Sequence, residues 1–219
     1  MQPINAPTYL RLREQIRSDI VAGVWPLGSH VTLANLSQYY KVSNVPVREA
    51  LLQLQGEGVI EMRMNRGAVI PAIDERYVDN VYRLRGAIQA MLARDAAERA
   101  NPQQLQQLAR LAQAHEDAVA GGNAMACVNA NREFHRHMDG IADNPIALEI
   151  LAARNSLVDA YRRAKGYGPG RLDAVIAQHR KLVRAITRRD GEGAARAAQD
   201  HAESSRKDLL ALIRRHAPA

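Results

Sequence analysis

Four residues in the second half of the chain have the types and spacing of a metal site. Asn131 and His135 are four apart and share one helix face. Val128, Met138 and Ala142 lie on that face too, so it points inward. His179 sits inside the stripe Leu172, Val175, Ile176, Leu182, Val183, Ile186. His201 shares a face with Ala194, Ala197 or Ala198, and Leu209. His179 comes eleven residues before Asp190, and His201 comes eleven after it. An antiparallel hairpin about Asp190-Gly191 puts both about 16 Å from the turn, at about 1.5 Å per residue, level and facing one core. Three imidazoles converging in a helix bundle suit a divalent transition metal such as Zn, Ni, Cu or Fe. The alternative for each is an ordinary hydrogen-bonded core histidine. His115, His137, His30 and His216 show no such convergence and read as surface or structural residues.

Arg85 falls on a face with Val78, Val81, Ile88 and Leu92. An inward arginine costs free energy unless it is paired. It can clamp a ligand carboxylate with its fork of donors, or pair with an internal acid such as Asp159. Arg162 is a second candidate for the effector, although Arg162-Arg163 also reads as a solvated edge. Enzyme chemistry finds little support. There is no His-Glu-x-x-His, no serine or cysteine nucleophile with partners, and Glu133 faces away from His135.

The elements that must position these groups are helices. From Asp74 onward, helical periodicity predicts segments at 74–100, 102–121, 123–142, 145–165, 169–189 and 191–216. They are separated by Asn-Pro, Gly-Gly-Asn and Asp-Gly breaks. The first 73 residues differ. Helices are expected at 8–24 with Thr8 as cap, after Thr32, and after Ser43. Two β-prone runs, 59–63 and 68–71, flank a Gly-containing turn and read as a hairpin. Helix, helix, turn, helix, hairpin is a winged helix-turn-helix. The expected fold is therefore mainly α. Residues 1–73 form a DNA-binding domain, and 74–219 form an all-α bundle of six to seven helices.

In such a domain the third helix enters the major groove with its N-terminal residues toward base edges. Ser43, Asn44, Val45 and Arg48 stand there. Arg48 can reach a guanine or a phosphate, Asn44 an adenine edge, and Val45 a thymine methyl. Arg63, Arg66 and Gly67 belong to the wing, whose arginines can reach phosphate or the minor groove. The formal charge of +7 suits a polyanionic partner. It is spread along the chain, with seven Lys/Arg against five Asp/Glu before Ala72 and 23 against 18 after it, so the nucleic-acid reading rests on pattern. The single Cys127 fits a reducing cytoplasm. No signal-peptide blocks open the chain, and no apolar run approaches the roughly 20 residues of a membrane span.

The run Val42-Ser43-x2-Pro46-Val47-Arg48-Glu49-Ala50-Leu51-x2-Leu54-x3-Gly58-Val59-Ile60, followed by Arg66-Gly67, resembles the GntR family of bacterial repressors. The resemblance implies a ligand-responsive, homodimeric regulator on a near-palindromic double-stranded operator. The family usually has Arg-Thr where this chain has Asn44-Val45, which implies an altered operator or weaker half-site binding. The second half is similar to the FCD ligand-binding domain of the FadR-type branch. The similarity rests on Tyr82-x2-Arg85, Asn131-x2-Phe134-His135, Asn144-Pro145, His179-x2-Leu182 and Ala197-x3-His201. In that branch an Asp and three His hold a divalent metal that helps bind a small carboxylate. Here Asn131 stands for the Asp, and Gln89 stands where Glu is common. Both changes make the pocket less acidic and favour an anionic ligand.

Overall fold

The computed structural model describes residues 7–63 and 67–216. The chain divides into two compact units. One comprises residues 1–73 with 152–164, and the other 74–151 with 165–219.

The first unit holds α1 (Thr8–Ala22), β1 (His30–Val31), α2 (Leu33–Tyr40), α3 (Asn44–Gly56), β2 (Glu61–Arg63) and β3 (Gly67–Val69). Leu12, Ile16 and Ile20 of α1 recur at helical spacing and are buried, as are Val47, Ala50, Leu51 and Leu54 of α3. Pro7, not Thr8, occupies the cap of α1. Thr8 is already the first helical residue, and Pro7 supplies no side-chain bond. Thr32 does cap α2, accepting from the Asn35 amide. Ser43 holds the cap position of α3 in extended backbone, without a side-chain bond. The expected hairpin is β2 and β3. The sheet order β1-β3-β2 adds a strand that the sequence did not announce, with His30 opposite Val69 and Val31 opposite Ala68. Two residues are too few to carry a period.

Gly67 explains why the wing closes. Its φ is +91°, and a Cβ there would lie 2.2 Å from the backbone oxygen of Val31. Only glycine permits both that torsion and that approach. A polar lock ties the helices nearby. Trp25 Nε1 donates to the Tyr40 hydroxyl at 2.8 Å, and that hydroxyl donates to Asp19 Oδ2 at 2.7 Å. Burial, then the bond to Asp19, pushes the Tyr40 phenol above its ordinary value.

The second unit holds α4 (Glu75–Arg99), α5 (Pro102–Ala120), α6 (Ala124–Ile141), α8 (Arg171–Thr187) and α9 (Gly191–His216), with the start of α7 (Pro145–Lys165). The helices match the predicted segments to within a few residues. Asp74 caps α4, Asn101 forms a reciprocal capping box on α5, and Asn123 caps α6. Residues 145–151 and 165 of α7 group with the second unit, and residues 152–164 with the first. Within that unit Arg163 Nη1 donates to the Val21 carbonyl. The core joins Ala93, Ala96 and Ala97 of α4 to Ala194, Ala197 and Ala198 of α9, with Phe134, Met138, Leu182 and Ile186. Gly86 of α4 faces the Ala202 methyl of α9, so two side chains of minimal size meet there. Among the described residues no helix is long and apolar enough to cross a membrane.

Candidate functional site

His135 of α6, His179 of α8 and His201 of α9 come together in the second unit, all buried. One nitrogen from each lies within 4.8 Å of the other two. The level pairing of His179 and His201 about the α8–α9 turn brings their ring centres to 5.1 Å. His135 Nε2 stands 3.1 Å from His201 Nε2. Two nitrogens bound to one zinc at about 2.0–2.1 Å stand roughly 3.3 Å apart in a tetrahedron, so this spacing suits a shared ion. Asn131 lies one turn before His135 and is half-buried.

His179 is 1% exposed, and neither ring nitrogen has a partner in the protein. A buried imidazole with both nitrogens unsatisfied is costly, and an ion removes part of that cost. Its ring is fixed by Phe134, stacked at 4.0 Å and 19°. Burial holds His135, His179 and His201 well below the ordinary histidine value; nearby cationic and imidazole groups add to the effect. Neutral imidazole is the ligating form. The residues therefore fit a divalent transition metal.

A hydrogen-bonded chain runs through the cluster. Arg85 Nε donates to Gln89 Oε1 at 2.9 Å. That turns the Gln89 amide nitrogen toward His135 Nδ1 at 3.2 Å and Asp139 Oδ2 at 3.1 Å. At the far end His201 Nδ1 meets Gln178 Oε1 at 2.9 Å, and Arg171 Nη1 donates to the same oxygen at 3.0 Å. Arg85 is buried and lies 5.5 Å over the Tyr82 ring. Among the described residues it makes no salt bridge, so the internal ion pair weighed for it is not what holds it. Arg162 is buried on the part of α7 that groups with the first unit, not with these helices.

Three participants were missed by sequence reasoning. Asp139 is buried one turn after His135, and burial pushes its carboxyl up to about 7. Gln178 precedes His179 and braces the other histidine. His115, read as a surface or structural residue, is 1% exposed and packs its ring 4.9 Å from that of His179. Its signal was available. It continues the buried stripe Leu108, Ala112 on α5.

In the first unit the recognition helix presents Asn44, Val45 and Arg48 to solvent, with Val45 66% exposed. Asn44 Oδ1 accepts from the Ser37 hydroxyl at 2.6 Å, which orients the amide at the start of α3. Arg63 pairs with Glu61 at 3.1 Å on the exposed face of β2, and Gly67 begins β3. Arg66 lies outside the described residues.

Comparison with known proteins agrees with this geometry. The gntR family of bacterial regulatory proteins matches residues 8–70, and the FCD domain family matches residues 80–204. The chain is 28% identical over 200 residues to the HTH-type transcriptional repressor RspR of Escherichia coli, covering 91% of this chain and 86% of that one. It is 24% identical over 186 residues to the HTH-type transcriptional regulator McbR of Escherichia coli, covering 84% of each. The solved structure of E. coli McbR/YncC superposes with a TM-score of 0.81 at 23% identity, covering 97% of this chain and 100% of that one. A putative transcriptional regulator from Rhodococcus sp. RHA1 has the same fold, with a TM-score of 0.76 at 15% identity over 96% and 99% of the two chains. The winged helix, the helical unit and these matches together make the chain a member of the gntR family of bacterial regulatory proteins, carrying an FCD domain.

Proposed function

We propose that this chain regulates transcription as a homodimer on a near-palindromic operator and responds to a small carboxylate through a divalent transition metal. The DNA-binding domain and the regulatory role follow from family membership; the effector, the metal and the dimer are the proposal. The observation that carries it is the buried convergence of His135, His179 and His201. Asn131 completes the donor set as a neutral oxygen ligand. Arg85 offers a buried cation beside this group, with Gln89 between them. An anionic ligand there gains charge-assisted bonds that a cationic one does not. The metal, when bound, supplies a Lewis-acidic point for a carboxylate oxygen. Dimerisation sets two recognition helices about one DNA turn apart, roughly 34 Å. The effector must favour one arrangement over another, because equal affinity for both shifts nothing.

The test begins with metal content of untagged protein, beside a His179→Ala, His201→Ala double variant. We expect near one ion per chain in the first and none in the second. Operator affinity, on DNA selected from a random pool, should then change about 5- to 150-fold across a carboxylate panel. Arg85→Met should abolish that response and leave operator affinity without effector unchanged. Empty wild-type protein after zinc and nickel are added back would overturn the metal reading. Operator affinity indifferent to every carboxylate would overturn the effector reading.

A further inference from the structure

His115 belongs to none of the motifs that identify the family, yet it is among the most buried polar groups of the chain. It is 1% exposed, and neither of its ring nitrogens has a partner. Burial pushes it below the ordinary histidine value. A buried imidazole left without a bond is costly, and a partner for it lowers that cost.

The three converging histidines are not equally braced. Gln178 Oε1 accepts at the second nitrogen of His201, and the Gln89 side-chain amide lies against that of His135, where its oxygen can accept once the amide turns. His179 has no such amide. Four rings surround it: Phe134 at 4.0 Å, His115 at 4.9 Å, His201 at 5.1 Å and His135 at 5.2 Å. Phe134 offers no acceptor, and His135 and His201 are spent on the ion. His115 remains. Its separation from His179 equals the 4.9 Å between His135 and His201, whose Nε2 atoms stand at hydrogen-bond distance, 3.1 Å. The distance between the His115 and His179 rings therefore admits a nitrogen–nitrogen bond of the kind that His135 and His201 make. The ligating nitrogens of His135, His179 and His201 form the close group, and His115 stands outside it. It is placed to support a ligand rather than to be one.

We propose that His115 is the outer partner of His179, accepting the N–H of the nitrogen that His179 does not give to the metal. It fixes the tautomer and the angle of His179, as carboxylates and carbonyls do for histidine ligands elsewhere. This rests on the metal reading above.

The test uses the full-length protein, with zinc as the probe and a chelator in competition. His115→Phe keeps the ring and removes both nitrogens; His115→Gln keeps an acceptor. We expect His115→Phe to weaken zinc binding about 10- to 100-fold with an unchanged helical spectrum, and His115→Gln to recover most of the loss. In the zinc-loaded wild type, nitrogen NMR should show a coupling across the His179–His115 hydrogen bond. This holds even if the Phe variant fails to fold. Wild-type zinc affinity in His115→Phe, or no such coupling, overturns the role of His115 and leaves the metal site standing. A His115 nitrogen shifted by coordination makes it a ligand and also overturns the proposal. Wild-type protein that binds no zinc removes the metal reading and this inference together.

Discussion

The carbonyl oxygen of Gln89 accepts from Arg85, and that bond decides where a proton sits three groups away. The Gln89 amide then donates to His135 Nδ1, which leaves the His135 proton on Nε2, facing His201 Nε2. His201 in turn donates from Nδ1 to Gln178. To give Nε2 to a metal, His135 must move its proton and Gln89 must turn. A glutamate at 89 removes that obstacle, because it accepts from His135 Nδ1 as it stands. We expect Gln89→Glu to tighten zinc binding by about tenfold or more in chelator competition. Unchanged or weaker binding would show that the amide does not oppose the ion. The three clustered histidines were legible because each sits on an apolar stripe and two are equidistant from one turn. Gln178 and Asp139 were not. Their roles depend on which side chain they meet across the bundle, and spacing along one helix does not encode that. The burial of His115 could be read from the stripe it continues on α5, but not that it meets His179, on a helix distant in sequence.

Helix caps and breaks carried most of what could be read about the elements. Asn101-Pro102 and Gly121-Gly122-Asn123 mark their ends in chemistry that the fold then uses. The first helix shows where this fails, since Pro7 precedes Thr8 and takes the cap. Strand β1 failed for a different reason. Its two residues are held by pairing with β3, a tertiary cause without a local pattern. Gly67 is the point on which that sheet turns. We expect Gly67→Ala to cost about 1–3 kcal/mol, from the forced torsion and the approach to Val31. The loss should appear in denaturant melts, with weaker operator binding. A fully stable variant would mean that the wing takes another path. On α3, Arg48→Ala should cost about 1–3 kcal/mol in operator binding if it reads a guanine, with specificity relaxed at one position. If it holds only phosphate, the loss should be the same on every sequence.

Stability of the whole molecule should depend on pH through its buried imidazoles. His115, His135, His179 and His201 are all held below the ordinary histidine value, chiefly by burial. The unfolded chain takes up their protons near about 6.5, so it binds more protons than the fold, and stability falls as the pH drops below that value. Asp139 works the other way. Burial raises its carboxyl from the ordinary 3.8 to about 7. Between those values the folded state holds a proton that the unfolded state has lost. Its contribution is present below 3.8 and fades as pH rises toward 7. We expect the metal-free protein to melt at lower temperature at pH 5 than at pH 7, four imidazoles outweighing one carboxyl. Asp139→Asn should steepen that fall. A melting temperature that rises on acidification would show the histidines charged within the fold.

The seam between α4 and α9 has a mechanical meaning. It is built largely from alanine and glycine, including Gly86 against Ala202, and such side chains have no rotamers to rearrange. A layer of leucines can absorb a small displacement by repacking; this one can only hold or part. Arg206 to Asp79 and Arg214 to Glu75 clamp the end of the seam where α4 begins. A shift imposed on His201, next to Ala202 on α9, therefore meets an unyielding layer at Gly86 and at the alanines beyond it. We expect the two helices to move together there, so that a displacement of His201 is passed to the middle of α4 rather than absorbed between them.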